Sequence, residues 1–95
     1  MITEKDLVKQ VLTFLQRRGG SEQKAIVEKS LFEANKGDFS KPYWQVLVGG
    51  GVPRWKKNIQ FARNTACKFG WIKSPEDSGR GIWELTDKGR QWKPE

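Results

Sequence analysis

The fold is decided by residues 53–70, which read PRWKKNIQFARNTACKFG. Proline is favoured at the first position of a helix, and glycine in a left-handed conformation ends many helices. The spacing therefore predicts a helix from about Arg54 to Lys68, with Pro53 at its first position and Gly70 as its cap. At about 100° per residue, one face of this helix is predicted to join the core. That face carries Ile59, Ala62, Ala66 and Phe69.

The opposite face of this helix carries Lys57, Gln60, Asn64 and Lys68, together with Phe61. Residues 54–68 include five Lys or Arg and no Asp or Glu. Gln and Asn can pair with adenine edges in the major groove of DNA, and Lys and Arg with guanine or phosphate. The alternative is an ordinary solvated helix face, but such faces usually mix both signs of charge. We therefore expect DNA contacts from Arg54, Lys56, Lys57, Gln60, Arg63, Asn64 and Lys68.

Two helices are predicted before this one. Thr3 has the character of an N-cap, and an apolar stripe follows at helical spacing until Gly19 and Gly20. Ser21 is predicted to cap a second helix, which would end near Asn35 to Gly37. The inner faces of the two helices are predicted to hold Leu7, Val8, Val11, Leu12 and Leu15, and then Ile26, Val27 and Leu31.

Residues 38–53 are interrupted by proline and glycine, which exclude a long helix. The apolar run 43–48 suits either a short strand or a single helical turn, and the three glycines at 49–51 suggest a hinge. Tyr43, Trp44 and Trp55 flank this segment. They either fill the space beneath it or stack on a base, a contact worth about 1–3 kcal/mol.

Residues 71–92 indicate a β-hairpin and a last short helix. The strands would be Trp71 to Lys73 and Ile82 to Leu85, joined by the polar tip 74–81. Trp71 and Trp83 are assigned to the core, and Thr86 is expected to cap the final helix. Lys73 and Arg80 are further candidates for DNA contact. Arg80 has an equally strong alternative as a solvated turn residue.

This order of elements predicts an α+β, mainly α fold of the winged helix-turn-helix type. It comprises three helices, a β-hairpin wing and a short C-terminal helix. Residues 1–92 would form the DNA-binding domain, and residues 93–95 the start of a linker or tail. A helix has the right width to enter the major groove of double-stranded DNA.

Composition supports a polyanionic partner. The chain has 18 Lys and Arg against 11 Asp and Glu, a formal charge of +7. The absence of histidine excludes His-based zinc sites and His-dependent nucleophilic catalysis. With Cys67 as the single cysteine no internal disulfide forms, which favours a reducing cytoplasmic setting. We find neither a membrane-spanning apolar run nor a secretory leader, and we expect no cofactor, metal site or small-molecule substrate.

Three segments carry a family resemblance: 55–63, 68–72 and 81–89. Together they resemble the N-terminal domain of Mrr-type restriction endonucleases. In that family an aromatic precedes a helix reading Ile-x-Trp-Ala-Arg, and a Gly-x-Trp and a Leu-Thr-acid-x-Gly follow. Here Phe61 stands in the place of the Trp, whereas Trp83 and residues 85–89 match. The pair Lys57-Asn58 departs from the family's usual Asn-Arg.

The resemblance implies a DNA-recognition module of a modification-dependent restriction enzyme, with the nuclease part absent from this chain and no catalysis of its own. We expect a preference for a methylated base, adenine ahead of cytosine, with Gln60 or Asn64 holding the adenine edge. The alternatives are a module that only anchors a nuclease, a protein-interaction or dimerisation surface, and, more weakly, RNA binding. The sequence leaves a homodimer open.

Overall fold

A computed structural model describes residues 1–94, and Glu95 lies outside the described residues. The predicted tail at 93–95 therefore falls partly outside them. The first helix, α1, spans Glu4–Arg17 and begins with a capping box. The hydroxyl of Thr3 accepts from the backbone N–H of Asp6 at 3.1 Å, and the Asp6 carboxylate accepts from the N–H of Thr3 at 2.9 Å. The predicted apolar stripe of α1 is buried.

The segment after α1 is a strand, not the start of a helix. Strand β1 spans Ser21–Gln23 and helix α2 spans Lys24–Ala34, so the prediction that Ser21 caps the second helix is wrong. Three extended residues are too few to show a period in the sequence. Ile26, predicted to face inward, is 36% exposed, and Glu28 takes an inner position at 4% exposure.

The interrupted segment forms four short elements. Helix α3 spans Lys36–Phe39 and helix α4 spans Pro42–Gln45. Strands β2, Leu47–Val48, and β3, Val52–Pro53, pair antiparallel. Both alternatives for residues 43–48 are thus partly realised, a helical turn followed by a strand. Gly50 and Gly51 have φ values of 81° and 74°, which only glycine adopts readily, so the glycines form a hairpin turn rather than a hinge.

Helix α5 spans Arg54–Lys68, as predicted, and packs mainly against α1. Pro53 precedes it as the N-cap, one position earlier than predicted, and Gly70 follows it with φ of 78°. Ile59, Ala62 and Ala66 are buried, which confirms most of the core face. Phe69 is 55% exposed, so its assignment to the core is wrong. It stacks instead on Trp71 near the surface, with 4.9 Å between ring centroids.

The carboxyl-terminal part adds α6 (Pro75–Ser78), β4 (Ile82–Glu84) and α7 (Asp87–Arg90). The main partner of β4 is β1, with Glu22 opposite Trp83, and not residues 71–73 as predicted. Those residues reach the chain after β4 through one antiparallel bridge between Ile72 and Leu85. The chain at and after β4 thus has two antiparallel neighbours, β1 and residues 71–73. The contact with residues 71–73, predicted as the hairpin, is the smaller of the two. Thr86 caps α7 as predicted.

The described residues form an α+β fold that is mainly helical, with two small sheets. One hydrophobic core joins α1, α2 and α5 to the chain around β4, where Trp83 and Leu85 are buried. Across residues 1–94, no helix has the length and apolar character that a membrane crossing requires.

Candidate nucleic-acid interface

The outward face of α5 presents side chains of mixed chemistry and no acid. Phe61, Asn64 and Lys68 are exposed, and Lys57 is half-buried. The Nζ of Lys57 lies 5.9 Å from the centroid of the Phe61 ring. Lys56 lies on the flank and is half-buried. The predicted outward orientation is thus realised for the middle and the end of the helix.

A groove of about 240 Å³ separates α5 from the segment 74–81. It brings together three of the predicted DNA-binding residues, Gln60, Arg63 and Asn64, and adds Lys24 from the start of α2. The guanidinium of Arg63 lies 5.8 Å from the centroid of the buried Trp83 ring. The other wall of the groove consists of Pro75, Gly79, Gly81 and Ile82.

Glu28, which was not predicted as a site residue, lies next to this groove and bonds to one of its lining residues. The Nε2 amide of Gln60 donates to Oε2 of Glu28 at 3.0 Å. Gln60 is therefore half-buried and already bonded, rather than free in solvent as expected. The signal was present in the pattern: Glu28 lies next to Val27 and three residues before Leu31, so an acid stands on the buried stripe of α2.

Arg54 is engaged at the start of α5. Its Nη1 donates to the carbonyl oxygen of Tyr43 at 3.0 Å, and its guanidinium carbon lies 4.2 Å from the centroid of the Tyr43 ring. Tyr43 is 50% exposed. This pair holds α4 against the start of α5, and the Tyr43 ring also packs against Trp44 with 5.1 Å between centroids.

The other two candidate stacking aromatics lie in or against the core. Trp44 is 5% exposed and packs edge-on against Phe39 with 5.1 Å between centroids. Trp55 packs against Phe32 at 4.7 Å and Phe39 at 5.9 Å. The structure corrects the idea of a shared stacking pocket, because these two rings fill the space beneath the segment 38–53.

Lys73 and Arg80 differ in their surroundings. The Nζ of Lys73 forms an ion pair with Glu84 at 3.0 Å, so its charge is largely committed within the fold. Arg80 is exposed in the segment between α6 and β4. It lines a second groove together with Gln23 and Glu28, next to the first groove.

Cys67 lies on the flank of α5. Burial raises the pKa of its thiol, and nearby Arg63 opposes that shift only in part. The Sγ lies 3.6 Å from the carbonyl oxygen of Lys73 and donates to it. A thiol with a raised pKa is a poor nucleophile. No cluster of three or more Asp, Glu, Cys or His side chains able to hold a metal ion occurs within residues 1–94.

The family model described as the Mrr N-terminal domain matches residues 5–95. The chain belongs to the Mrr N-terminal domain family. This confirms the resemblance, which covers roughly residues 3–92 and is most specific over residues 55–89. No curated protein and no solved structure matched the chain.

Membership associates the chain with Mrr-type restriction systems, and the Mrr N-terminal domain is distinct from a nuclease domain. Within this Mrr N-terminal domain, α5 supplies most of the candidate contacts. Gln60, Arg63 and Asn64 share one groove, whereas Arg54 and Lys73 are held by partners in the fold.

Proposed function

We propose that this Mrr N-terminal domain is a double-stranded DNA-binding module and the target-recognition part of a restriction nuclease, without chemistry of its own. The observation that carries the proposal is the groove where Gln60, Arg63 and Asn64 of an acid-free helix converge beside the segment 74–81. Restriction systems act on DNA, so the family membership supports the same partner.

The arrangement of elements fits a winged helix-turn-helix. Helix α5 would be the recognition helix that enters the major groove. The segment 74–81 lies between the bridge residue Ile72 and β4, and it would be the wing beside α5. Arg80 in that wing would reach the flanking phosphates.

Affinity would come largely from phosphate contacts. The cations proposed for this role lie on α5 or in the segment 74–81 and form no ion pair among the described residues. They are Lys56, Lys57, Lys68 and Arg80. With Lys24 and Arg63 at the groove, about five or six phosphates would be neutralised. The logarithm of the association constant should then fall against the logarithm of the salt concentration with a slope of about −5.

The test is a titration of a fluorescent duplex of about 20 base pairs at several salt concentrations. A slope shallower than about −2 would contradict phosphate contact as the main source of affinity. The double variant Lys57→Gln, Lys68→Gln should weaken binding. The matched control is Lys29→Gln, Lys36→Gln, which removes the same charge from exposed positions on α2 and α3. Equal losses in both variants would argue against α5 as the interface.

The finer function we propose is discrimination of a methylated base in this groove. The resemblance to modification-dependent nucleases supports it, and so does the placement of apolar Ile82 and Trp83 beside polar Gln60 and Asn64. Burying one methyl group contributes about 0.8 kcal/mol, or about fourfold in affinity. Duplexes identical except for the methyl group test this. Dissociation constants equal within about twofold would leave the domain only an anchoring role.

A second candidate function, protein binding, is favoured by a groove of about 500 Å³ on the opposite side of α5. Its lining includes the exposed Phe69, the partly buried rings Trp71 and Trp92, and the lysines Lys5, Lys9 and Lys93. The nearby acid, Glu4, accepts a hydrogen bond from Thr65 at 3.0 Å. A second copy would bring lysines against lysines, so the occupant that fits is an acidic peptide with an aromatic anchor.

Acidic peptides carrying one central Phe or Trp would test this second candidate by fluorescence anisotropy. Phe69→Ser should abolish their binding and leave DNA binding unchanged. Phe61→Ser, which removes an exposed ring from the other face of α5, is the control. Failure of all such peptides to bind would exclude this function for the groove.

A further inference from the structure

Glu28 is only 4% exposed and is the one buried charged residue within residues 1–94. Burying a carboxylate is costly unless hydrogen bonds replace its water. The hydrogen bond that Glu28 receives from another side chain comes from Nε2 of Gln60, at 3.0 Å. The two residues belong to different helices, so this contact couples the inner face of α2 to the groove side of α5.

The chemistry of the two groups fixes which end of the Gln60 amide faces Glu28. An ionised carboxylate only accepts hydrogen bonds, whereas the amide nitrogen donates and the amide oxygen accepts. The amide nitrogen Nε2 must therefore face Glu28, and the carbonyl oxygen Oε1 is the end of the amide that does not. A glutamine free in solvent would present either end. This one presents an acceptor beside the groove that it lines.

The orientation of the Asn64 amide, one helical turn further along, is fixed in the same way. Nη1 of Arg63 donates to Oδ1 of Asn64 at 3.1 Å. Because a guanidinium group only donates, Nδ2 of Asn64 is the end left as a donor. The groove side of α5 thus offers an acceptor at Gln60 and a donor at Asn64.

We propose that Glu28 is a positioning residue that sets Gln60 as an acceptor, so that α5 selects a base with an exocyclic amino group at one position of its target. This deepens the proposed function and rests on it. In the major groove, adenine N6 and cytosine N4 donate, whereas guanine O6 and thymine O4 accept. Adenine fits both groups. Its N6 amino group can donate to Oε1 of Gln60, and its N7, next to N6, can accept from Nδ2 of Asn64. Guanine would place O6 against Oε1, two acceptors with no hydrogen between them.

The first experiment uses a pool of duplexes with about ten randomised base pairs. The pool bound by the wild-type domain is sequenced and compared with the unbound pool. We expect enrichment of adenine over guanine at one position or more. The strongest sequence then supplies a duplex pair that differs by one A·T to G·C replacement, whose two dissociation constants give the selectivity.

Glu28→Gln is the decisive variant. It is nearly isosteric and still bonds to Gln60, but an amide can accept or donate, so it no longer dictates which end of Gln60 faces the groove. We expect the selectivity for adenine over guanine to fall by up to about tenfold. Glu33→Gln removes the same charge from an exposed position of α2 and should leave the selectivity unchanged. A purely structural role for Glu28 would lower the melting temperature without moving the selectivity, and that result would overturn the proposal.

A measurement on the wild-type domain avoids any effect on folding. Replacing the selected adenine by nebularine removes the N6 amino group and should weaken binding by about three- to tenfold. The same replacement should have no effect on Gln60→Ala, nor at a position outside the selected site. Equal losses in wild type and Gln60→Ala would overturn the proposal. Absence of duplex binding at any salt concentration would instead refute the proposed function itself.

Discussion

Gly89 lies directly against the backbone carbonyl of Trp71. A Cβ atom at Gly89 would overlap the carbonyl oxygen of Trp71 and approach a methyl group of Leu85 at 3.1 Å. Glycine is therefore required here for close approach, since its φ is not in the left-handed region. The contact packs α7 against the chain that follows Gly70.

Gly89→Ala should destabilise the domain by about 3 kcal/mol, because the opposing atoms belong to the backbone and cannot turn away. Urea unfolding followed by tryptophan fluorescence measures the loss. Gly37→Ala is the matched control: no atom lies within 4 Å of the added Cβ, and the residue is helical. It should be neutral or stabilising by up to about 1 kcal/mol. Similar effects of the two changes would contradict the close packing at Gly89.

Trp44→Ala should cost about 3–5 kcal/mol of unfolding free energy, as expected for an aromatic truncation in a core. Its neighbour Tyr43 is half-exposed, so Tyr43→Ala should cost much less. Both variants are measured by the same denaturant titration. If Trp44→Ala lost DNA affinity and kept its stability, the ring would belong to the interface after all.

Acid should weaken the start of α1. The hydrogen bond from the backbone N–H of Thr3 is the main cause that holds the pKa of Asp6 below its ordinary value of 3.8. A carboxylate with a lowered pKa in the folded state stabilises the fold above its unfolded pKa. That stabilisation is lost as the pH falls below the unfolded pKa and through the lower folded pKa.

The measurement for Asp6 is the unfolding free energy as a function of pH. Asp6→Asn should flatten the curve in this acid range, whereas Glu33→Gln, at an exposed position of α2, should follow the wild type. A wild-type slope retained in full by Asp6→Asn would show that the capping box does not titrate with the fold.

Cys67 should react slowly with iodoacetamide in the folded domain. The raised pKa of the thiol leaves less thiolate at pH 8, and burial restricts access. Adding urea to unfold the chain should accelerate alkylation many-fold at the same pH. Equal rates in the folded and unfolded chain, followed by mass spectrometry, would contradict the described burial.

Methylation at the amino group that we propose Gln60 reads should weaken binding. When N6-methyladenine pairs with thymine, its remaining N–H is used in the pair and the methyl group replaces the donor in the major groove. The loss of one hydrogen bond predicts about a three- to tenfold weaker complex. 5-Methylcytosine keeps both N4 hydrogens, so its methyl group can pack beside Ile82 without that loss. This reverses the order expected from sequence, and titration of the two methylated duplexes against their unmodified forms decides it.

Local signals were sufficient to predict α5. Proline before Arg54, glycine after Phe69 and the spacing of Ile59, Ala62 and Ala66 are all properties of neighbouring residues, and the helix has the predicted bounds. Strand β1 was missed for the opposite reason. Its extended form depends on pairing with Glu84 and Trp83, about sixty residues away, which no local pattern encodes.

The candidate site shows the same limit. The helical period correctly placed Asn64 and Lys68 outward, because facing depends only on the helix. It gave no indication that Gln60 would bond to Glu28, since that contact depends on how α2 packs on α5. Aromatic residues were equally ambiguous: Trp44 and Tyr43 are adjacent in the sequence, yet one is buried and the other half-exposed.

The pairing of β1 with β4 has a consequence for how the domain acquires its structure. Strand β1 can pair only when residues 82–84 are present. The backbone N–H of Leu85 then donates to the carbonyl oxygen of Gly20 at 2.7 Å. Contacts between such distant parts of a chain require closure of a long loop before they contribute stability, and they slow folding. During synthesis, α1 and α2 emerge early, but the wall of the groove formed by Gly81 and Ile82 cannot be in place until the last residues of the domain have left the ribosome. The chain would therefore acquire the groove beside α5 only at the end of its folding.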